Sequence, residues 1–578
     1  MKGFPFQYLL IGGLFFLLFN ACSKDAAENV EIDELNIRIV EEPDRLHPML
    51  SRTGVADQIE QRMYLPLLEV DPQSLELVPA IATGLPEIQT FQDSSLILSY
   101  LLQSEASWCD GKKITAEDYL FTMKMIFLPG LDNPWRSYFN LIDSVLINEN
   151  EPEKVSFKLA EPYILAVPAT ASLQAYPKHK IDPNRTLDEF TLSQLQAMDS
   201  LPESLQPLMD YFRSDSLSRY QICNSGPYTL KSWEANQYLV LEKEEGHWTT
   251  LKQKDASGLK AIPKRLNYLI IPEEANAIAQ IRNGNIDILS GLSPTQFKSL
   301  KADSAFAERH RFYTPSTFKQ YIILLNNEHP ILGEIAVRKA LSALTDRAAF
   351  IEDALAGLGM PSTSPVHPNK AVYDTSARQV SFDPRKAVQL LEENGWLDLD
   401  EDGIREKMIN GQKTPLQLTF LSTGSSLGNA IGLRLKENAL KAGMDVLLEQ
   451  MPFKNILTKM RAGEFDMSPL SISTSPFPDD PYQTWHTDNI GAGRSNLTRF
   501  GNDSTDAIIE ALRVEMDVDL QGRLYRQFQL DIAQWVPAIF LAAPQECIIS
   551  KDEFQLVTGP VKPGFAPQLT QHNQDGAE

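Results

Sequence analysis

Alternating hydrophobic and polar positions predict β-strands in the first half of the chain. Residues 35–39 alternate as a half-buried strand does, and residues 96–102 repeat the pattern. A turn at residues 225–227 leads into a third run, which we expect to pair with residues 238–243 as a hairpin across Ala235 and Asn236. These runs predict at least one sheet.

A helical period first appears at residue 115. Thr115 followed by Asp118 forms an approximate capping box, and Pro129-Gly130 marks the end of the helix. The apolar face between these signals consists of Ala116, Tyr119, Leu120, Met123 and Phe127. Residues 182–220 are polar and dotted with leucine, which predicts a helical insertion.

Strands and helices alternate in the second half of the chain. Residues 275–282 predict a helix before a strand at 286–289, and a strand at 321–325 precedes a helix striped by Val337, Ala340, Leu341 and Leu344. Residues 416–420, 427–439 and 444–448 follow as strand, helix and strand, with Gly443 ending the helix. This succession is typical of a βαβ unit and predicts an α/β fold.

The N-terminal segment predicts export. Residues 3–23 carry no charge and follow Lys2, as in a signal peptide. The junction of Ala21 and Cys22 resembles the cleavage site of a bacterial lipoprotein, which predicts removal of residues 1–21 and lipidation of Cys22. The alternative is a signal anchor, since about twenty uncharged residues just span a bilayer.

Composition narrows the function classes. The chain has 578 residues, several times the ~150 of one domain, so we expect more than one core. Its 53 Lys+Arg against 76 Asp+Glu give a net charge of −23 without a basic stripe, which argues against nucleic-acid binding.

Cysteine and histidine positions predict neither disulfides nor a metal or cofactor site. Beyond Cys22 only Cys109, Cys223 and Cys547 remain, too few for a disulfide framework, and we expect them to be small buried hydrophobes. The eight histidines are scattered, and the chain contains neither CxxC nor HExxH.

Several motifs, in this order, resemble the extracytoplasmic solute-binding proteins of ABC importers, in the oligopeptide, dipeptide and nickel-binding class. The most specific is W-C-D-G-K-K-I-T-A-E-D at residues 108–118. Further similar segments lie at residues 77–82, 157–163, 225–228, 231–234, 283–287, 337–341, 383–387, 390–396, 523–525 and 536–539. The resemblance therefore runs from about residue 35 to 555.

The resemblance implies an α/β fold of two lobes, of the periplasmic-binding-protein type, with an extra domain near the N-terminus. It implies lobe I from residues 23–58, 210–268 and 496–578, the extra domain from 59–209, and lobe II from 269–495. The chain is expected to cross between lobes near residues 266–271 and 494–497. A ligand enclosed between lobes contacts both only in the closed state, so its binding becomes a population shift that a transporter senses.

In the family, the loop before the second crossing lines the pocket, and here it contains Ser473, Thr474, Ser475, Phe477, Asp479, Asp480 and Pro481. Phe477 stands where peptide-binding members carry an aspartate that pairs with the peptide's amino terminus. Asp479 or Asp480 substitutes for that aspartate, or each only caps a turn.

Other candidate contacts follow from the same resemblance. Trp485 would supply an aromatic wall, Arg494 a clamp for a carboxylate and Asn496 a polar contact, with packing or surface solvation as the alternative for each. Ser225 either touches the ligand backbone or serves only the turn. Thr53 and Gly54 lie in a loop expected to face the cleft.

Two local motifs suggest other chemistry. Residues 398–403 imitate the start of a calcium loop, but Ile409 stands where the loop needs a glutamate, which favours a solvated turn. Residues 424–428 match G-x-S-x-G, which would make Ser426 the nucleophile of a serine hydrolase with His486 downstream. The same strand, turn and helix occur in the solute-binding family without a nucleophile.

Together the sequence predicts a non-enzymatic, monomeric receptor that is lipid-anchored at the cell envelope, on its periplasmic or extracellular face. It would bind a peptide or peptide-like solute and deliver it to the transmembrane subunits of an ABC permease. The alternative is a sensory or adhesive lipoprotein that keeps the fold without transport.

Overall fold

The computed structural model describes residues 32–133, 135–252, 259–491 and 493–573. The predicted signal segment and Cys22, the predicted site of lipidation, lie outside these residues. Within the described ranges, no helix combines the length and apolarity needed to cross a membrane.

The first lobe is built on a mixed seven-stranded sheet. Strand Glu34–Ile39 lies inside it and runs parallel to both Arg265–Ile270 and Ile288–Leu289. The order of strands across the sheet is His310–Tyr313, Ile548–Lys551, Ile288–Leu289, Glu34–Ile39, Arg265–Ile270, Tyr238–Lys243 and Tyr228–Glu234. The predicted hairpin is confirmed by the pairing of the last two strands.

The second lobe is built on a six-stranded sheet. The predicted βαβ unit is confirmed, because strands Gln417–Ser422 and Asp445–Gln450 pair in parallel around helix Ser426–Lys441. The order of strands is Gly359–Pro361, Ala538–Pro544, Lys319–Leu325, Met467–Ser473, Gln417–Ser422 and Asp445–Gln450. Ile323, Leu418 and Phe420 are buried among the helices that cover this sheet.

The extra domain carries a four-stranded antiparallel sheet, in the order Glu87–Thr90, Leu96–Leu101, Lys154–Leu159 and Ile142–Ile147. Helix Ala116–Ile126 begins at the predicted capping box, in which Thr115 and Asp118 exchange hydrogen bonds. Small sheets of two strands each complete the fold. In them, Leu68–Val70 pairs with Leu77–Pro79, Glu406–Ile409 pairs with Gln412–Pro415, and Phe554–Gln555 pairs with Gln571–His572. The two-lobed α/β fold with an extra N-terminal domain is thus confirmed.

Helices cover the three units. The first lobe and the extra domain carry Gly54–Met63, Trp135–Phe139, Ala166–Ala171, Lys178–Ile181, Leu192–Gln196, Gln206–Phe212, Glu274–Arg282, Pro294–Ala302 and Ser304–Ala307. The second lobe carries Ile335–Leu344, Arg347–Ala354, Pro384–Glu393, Phe453–Ala462, Tyr482–Trp485, Asp503–Val514 and Val518–Trp535. The predicted helical insertion at 182–220 consists of short helical turns, including Leu192–Gln196 and Gln206–Phe212.

The chain crosses between the two sheets at other places than predicted. Strands Ile288–Leu289 and His310–Tyr313, expected in lobe II, extend the first sheet on its far side. Helix Val518–Trp535, expected in lobe I, packs Phe528 and Ile532 against the second sheet. The crossings therefore lie at residues 314–318 and 545–547, because these segments leave one sheet and enter the other.

The cysteines correct another prediction. Cys109 and Cys223, which are 114 positions apart in sequence, form a disulfide with their Cα atoms 5.3 Å apart. The two segments lie side by side, since the Cys109 amide donates to the carbonyl of Asn224. The bond ties the W-C-D-G turn of the extra domain to the segment that returns to the first lobe. Cys547 is buried as predicted.

Candidate ligand-binding cleft

The predicted pocket loop, residues 473–481, begins next to the end of the first crossing segment, residues 314–318. Strand Met467–Ser473 pairs antiparallel with Lys319–Leu325, so Ser473 lies opposite Lys319, the first strand residue after the crossing. The Thr474 amide then donates to the carbonyl of Phe318 at 2.8 Å. We call residues 473–481 the cleft loop, because this pairing holds it at the junction of the two lobes.

The two crossing segments run side by side. The Glu546 amide donates to the carbonyl of Pro315 at 2.9 Å. The Thr317 hydroxyl donates to the Glu546 carboxylate at 3.1 Å. Two adjacent extended connections of this kind form a hinge about which two lobes can open and close.

Asp479 of the cleft loop is paired inside the second lobe. Its Oδ1 accepts a hydrogen bond from the Lys370 ammonium at 2.5 Å, and that ammonium also donates to the carbonyl of Phe477 at 2.8 Å. Burial lowers the pKa of Lys370, and burial raises the pKa of Asp479, while the ion pair opposes both shifts. The loop is therefore fixed by a charge pair that sequence analysis missed.

Asp480 joins the extra domain to the second lobe. Its Oδ2 accepts hydrogen bonds from the Tyr163 hydroxyl at 3.0 Å and from Arg513 Nε at 3.1 Å. Its Oδ1 accepts the Tyr482 amide at 3.0 Å, so the side chain is only 8% exposed. Next to this group, the Ile164 amide donates to the carbonyl of Arg513 at 2.8 Å. We call Tyr163, Asp480 and Arg513 the interlobe contact.

Some polar side-chain atoms at the hinge take no part in these hydrogen bonds. Among the described residues, Asp479 Oδ2, Thr474 Oγ1 and Ser316 Oγ are buried without a hydrogen-bond partner. Ser316 lies on the first crossing segment, two residues before Phe318, whose carbonyl accepts the Thr474 amide. Buried polar atoms nearly always have partners in folded proteins, so a water molecule or a ligand would supply the partners of these atoms.

The first lobe reaches the cleft loop through its C-terminal segment. The Lys562 ammonium donates to Ser473 Oγ at 2.7 Å, and burial lowers the pKa of Lys562. Lys319 and Asp57 act electrostatically on the same ammonium. Charged groups from both lobes thus meet at the opening of the cleft.

Three predicted contact residues are used for packing. Trp485 is 5% exposed and packs against Phe528 and Phe540. Asn496 Nδ2 donates to the carbonyls of His486 and Phe500. Ser225 is 2% exposed, and its hydroxyl accepts the Leu65 amide at 2.9 Å. The alternatives of packing and of a turn residue account for these side chains.

The remaining candidates lie on the surface or at a helix end. Thr53 caps helix Gly54–Met63, with its hydroxyl accepting the Ala56 amide at 3.2 Å. Gly54, Ser475 and Arg494 are exposed, and Phe477 is half-buried. The ligand contacts predicted for these residues stay predictions.

The G-x-S-x-G motif at residues 424–428 and the acidic motif at residues 398–403 have ordinary structural roles here. Ser426 is the first residue of its helix and exposed, Ser425 caps that helix, and His486 contacts Glu510 and Asp488 instead of Ser426. In the acidic turn, the carboxylates of Asp398, Asp400 and Glu406 lie within 4.8 Å of one another. Lys413 bridges two of them, at 2.6 Å from Asp400 and 2.9 Å from Glu406, where a cation would otherwise bind.

Comparisons with known proteins agree with this architecture. A family model described as bacterial extracellular solute-binding proteins, family 5 Middle, matches residues 76–493. The oligopeptide-binding protein AppA of Bacillus subtilis (strain 168) is 23% identical over 533 residues, covering 91% of this chain and 89% of that protein. Its structure in complex with a nonapeptide superposes with a TM-score of 0.73 at 21% identity, over 95% of this chain and 100% of that chain. NikA from Brucella suis, in complex with Fe(III)-EDTA, gives a TM-score of 0.75 at 17% identity, over 93% of this chain and 100% of that chain.

Proposed function

The chain belongs to the bacterial extracellular solute-binding proteins of family 5, and from this premise we propose that it captures a peptide-like solute between its lobes for delivery to an ABC permease. Relatives of similar sequence include proteins named for binding oligopeptides and nickel. The proposal needs no chemical step, because binding alone shifts the lobes toward the closed state.

The observation that carries the proposal is the orphaned Asp479 Oδ2 in the cleft loop. The oxygen is buried without a hydrogen-bond partner among the described residues, although the other oxygen of the same carboxylate is paired with Lys370. A donor from a ligand would satisfy it, and the Thr474 and Ser316 hydroxyls at the hinge would bind other polar groups of the ligand.

The charges of the cleft loop favour one kind of ligand. Lys370 neutralises Asp479, and Arg513 neutralises Asp480, so neither aspartate offers an uncompensated negative charge. If the ammonium of a ligand were buried here without a free negative charge beside it, it would lose its hydration, and no ion pair would compensate for that loss. We therefore propose that the ligand presents a neutral N–H or O–H donor here, as a blocked, cyclic or non-peptide oligomer does.

Anchoring and delivery complete the proposal. After removal of residues 1–21, Cys22 would carry lipid that anchors the receptor at the periplasmic or extracellular face of the membrane. The receptor would act as a monomer. A single acyl chain holds a protein only marginally, so stable anchoring requires more than one. The closed form would then dock on the transmembrane subunits of the permease.

Mass spectrometry of the ligand that copurifies with the protein tests the proposed ligand class. We expect a compound without a free amino end. If ordinary peptides do bind in calorimetry with a mixed di- to pentapeptide library, Asp479→Asn should weaken binding at least tenfold, about 1.4 kcal/mol. Asp488→Asn serves as the control, since Asp488 contacts Tyr482 on the surface of the same lobe. Tight binding of free-amino peptides would contradict the proposed ligand class, and binding that survives both Asp479→Asn and Asp480→Asn would also exclude these two aspartates as ligand contacts.

A further inference from the structure

A cavity of about 430 Å³ lies at the outer edge of the second lobe. Its lining comes from the start of helix Arg347–Ala354, from the end of strand Gly359–Pro361, which is the outermost strand of the second sheet, and from residues 373–382. We call it the edge cavity. Its volume falls within the roughly 300–1,000 Å³ typical of small-molecule sites.

The edge cavity is separate from the cleft between the lobes. Within the described part of the chain, its lining residues all belong to the second lobe, and none of them hydrogen-bonds to the cleft loop. Arg347 Nε donates at 2.6 Å to the carbonyl of Phe540, which stands five positions before the second crossing segment begins at residue 545. At about 3.3 Å per residue, this bond lies roughly 16 Å along the strand from the hinge.

Buried hydrogen bonds fix the floor of the edge cavity. Arg347 Nη2 donates to Gln379 Oε1 at 3.0 Å, and Gln379 Nε2 donates to the carbonyl of Ala538 at 2.5 Å. Arg347 is 7% exposed and Gln379 is 2% exposed, so both side chains are shielded from solvent. The floor is therefore held on the edge of the sheet by bonds that need no ligand.

The wall formed by residues 373–375 is fixed as well. Gln529 Oε1 accepts the Asp374 amide at 3.0 Å, and Arg526 Nε lies 3.1 Å from the Asp374 carboxylate. Both partners lie on helix Val518–Trp535, which packs against the second sheet. A site whose walls are already in place loses less conformational freedom when a ligand binds.

Polar groups of the lining keep hydrogen-bonding capacity. Arg378 Nε donates to the carbonyl of Thr375 at 2.5 Å, and Asp346 Oδ1 accepts the Ala349 amide at 2.9 Å. Among the described residues, no carboxylate pairs with the Arg378 guanidinium and no cation pairs with the Asp346 carboxylate. Four hydroxyls of the lining also form no hydrogen bond to another described residue, namely those of Thr363, Tyr373, Thr375 and Ser381.

This lining favours a neutral ligand that is rich in hydroxyls. An anion that paired with Arg378 would meet the Asp346 carboxylate in the same cavity, and a cation that paired with Asp346 would meet Arg378. A zwitterion would pair with both charges but leave the four hydroxyls without partners. Sugar hydroxyls donate and accept, so they match the charged groups and the hydroxyls alike. Tyr373 and Phe382 offer aromatic surface to the apolar face of a sugar ring.

We propose that the edge cavity binds a neutral sugar of one or two rings. The Arg378 guanidinium would donate to sugar oxygens, and Asp346 Oδ2 would accept from a sugar hydroxyl. Phe382, which is 41% exposed, would pack against the ring. This site goes beyond the proposed capture of a peptide-like solute, because its ligand contacts the second lobe alone.

Calorimetric titration of the intact protein with neutral sugars tests the proposal. The probes are glucose, galactose, mannose, N-acetylglucosamine, maltose and cellobiose, with glycine and inorganic phosphate as charged probes. We expect at least one sugar to bind with a Kd below about 5 mM, and neither charged probe to bind in that range.

Variants of the lining place the sugar in the edge cavity. Arg378→Gln should weaken sugar binding at least about tenfold, because it removes a charged donor. Phe382→Ala should weaken it at least about threefold, because it removes apolar contact area. Arg385→Gln is the matched control, since Arg385 is an exposed arginine of helix Pro384–Glu393 outside the cavity. Circular dichroism confirms that each variant is folded.

The variant Asp479→Asn separates the edge cavity from the cleft. The Kd of the sugar should change less than about twofold in this variant. Four results would overturn the proposal. These are no sugar binding below about 5 mM, binding that Arg378→Gln and Phe382→Ala leave unchanged, binding that Asp479→Asn abolishes, and glycine or phosphate binding more tightly than every sugar. Failure of cleft binding in the peptide library would leave the expected sugar result untouched.

Discussion

Removing the Tyr163 hydroxyl should open the lobes. Tyr163 belongs to the extra domain, and its hydroxyl donates at 3.0 Å to Asp480 in the second lobe. Tyr163→Phe removes this bond and leaves the ion pair of Asp480 with Arg513 inside the second lobe. A hydrogen bond to a charged group contributes about 1.5 kcal/mol at the low end of its range. That loss lowers the ratio of closed to open molecules about tenfold.

The consequence for binding follows from linkage. The apparent affinity of a ligand that needs the closed state falls with the fraction of closed protein, so we expect Tyr163→Phe to raise the Kd of the copurifying ligand up to about tenfold. Calorimetry on protein stripped of ligand measures this. Tyr482→Phe is the matched control, because the Tyr482 hydroxyl donates at 3.0 Å to Asp488 within one lobe. Equal affinities for wild type, Tyr163→Phe and Tyr482→Phe would refute the reasoning.

Three further predictions concern anchoring, catalysis and pH. Cys22→Ala should leave an uncleaved or soluble form, and an intact mass that shows unmodified Cys22 in the wild type would exclude the anchor. Ser426→Ala should change neither ligand affinity nor ester cleavage, whereas fluorophosphonate labelling of Ser426 would make the protein a hydrolase. Burial raises the pKa of Glu60 from 4.5 to about 8. Between these pH values the folded state keeps a proton on Glu60 that the unfolded state loses, so the free energy of unfolding should fall as pH rises. Glu60→Gln should remove this part of the slope in chemical denaturation, and an unchanged slope would contradict the assignment.

Local signals in the sequence predicted local structure well. The capping box of Thr115 and Asp118 and the glycine after the βαβ helix are signals contained within a few residues, and both features are confirmed. The motifs that resemble the solute-binding family also predicted the two-lobed fold. Each of these depends on short-range patterns or on the order of elements along the chain.

Long-range pairings could not be read in the same way. Strand Ile288–Leu289 has only two residues, and His310–Tyr313 pairs with residues more than 200 positions away, so neither showed which sheet it joins. The partners of Asp479 and Asp480, Lys370 and Tyr163, lie 109 and 317 residues away. The disulfide of Cys109 with Cys223 was missed because a small number of cysteines argued against any pairing.

Solution scattering before and after ligand removal tests the central claim most directly. If the protein captures its solute by closing two lobes about the segments 314–318 and 545–547, stripping the copurified ligand should increase the radius of gyration. Adding the ligand back should reverse the increase. A ligand that binds and is released while the radius of gyration stays the same would contradict capture by lobe closure.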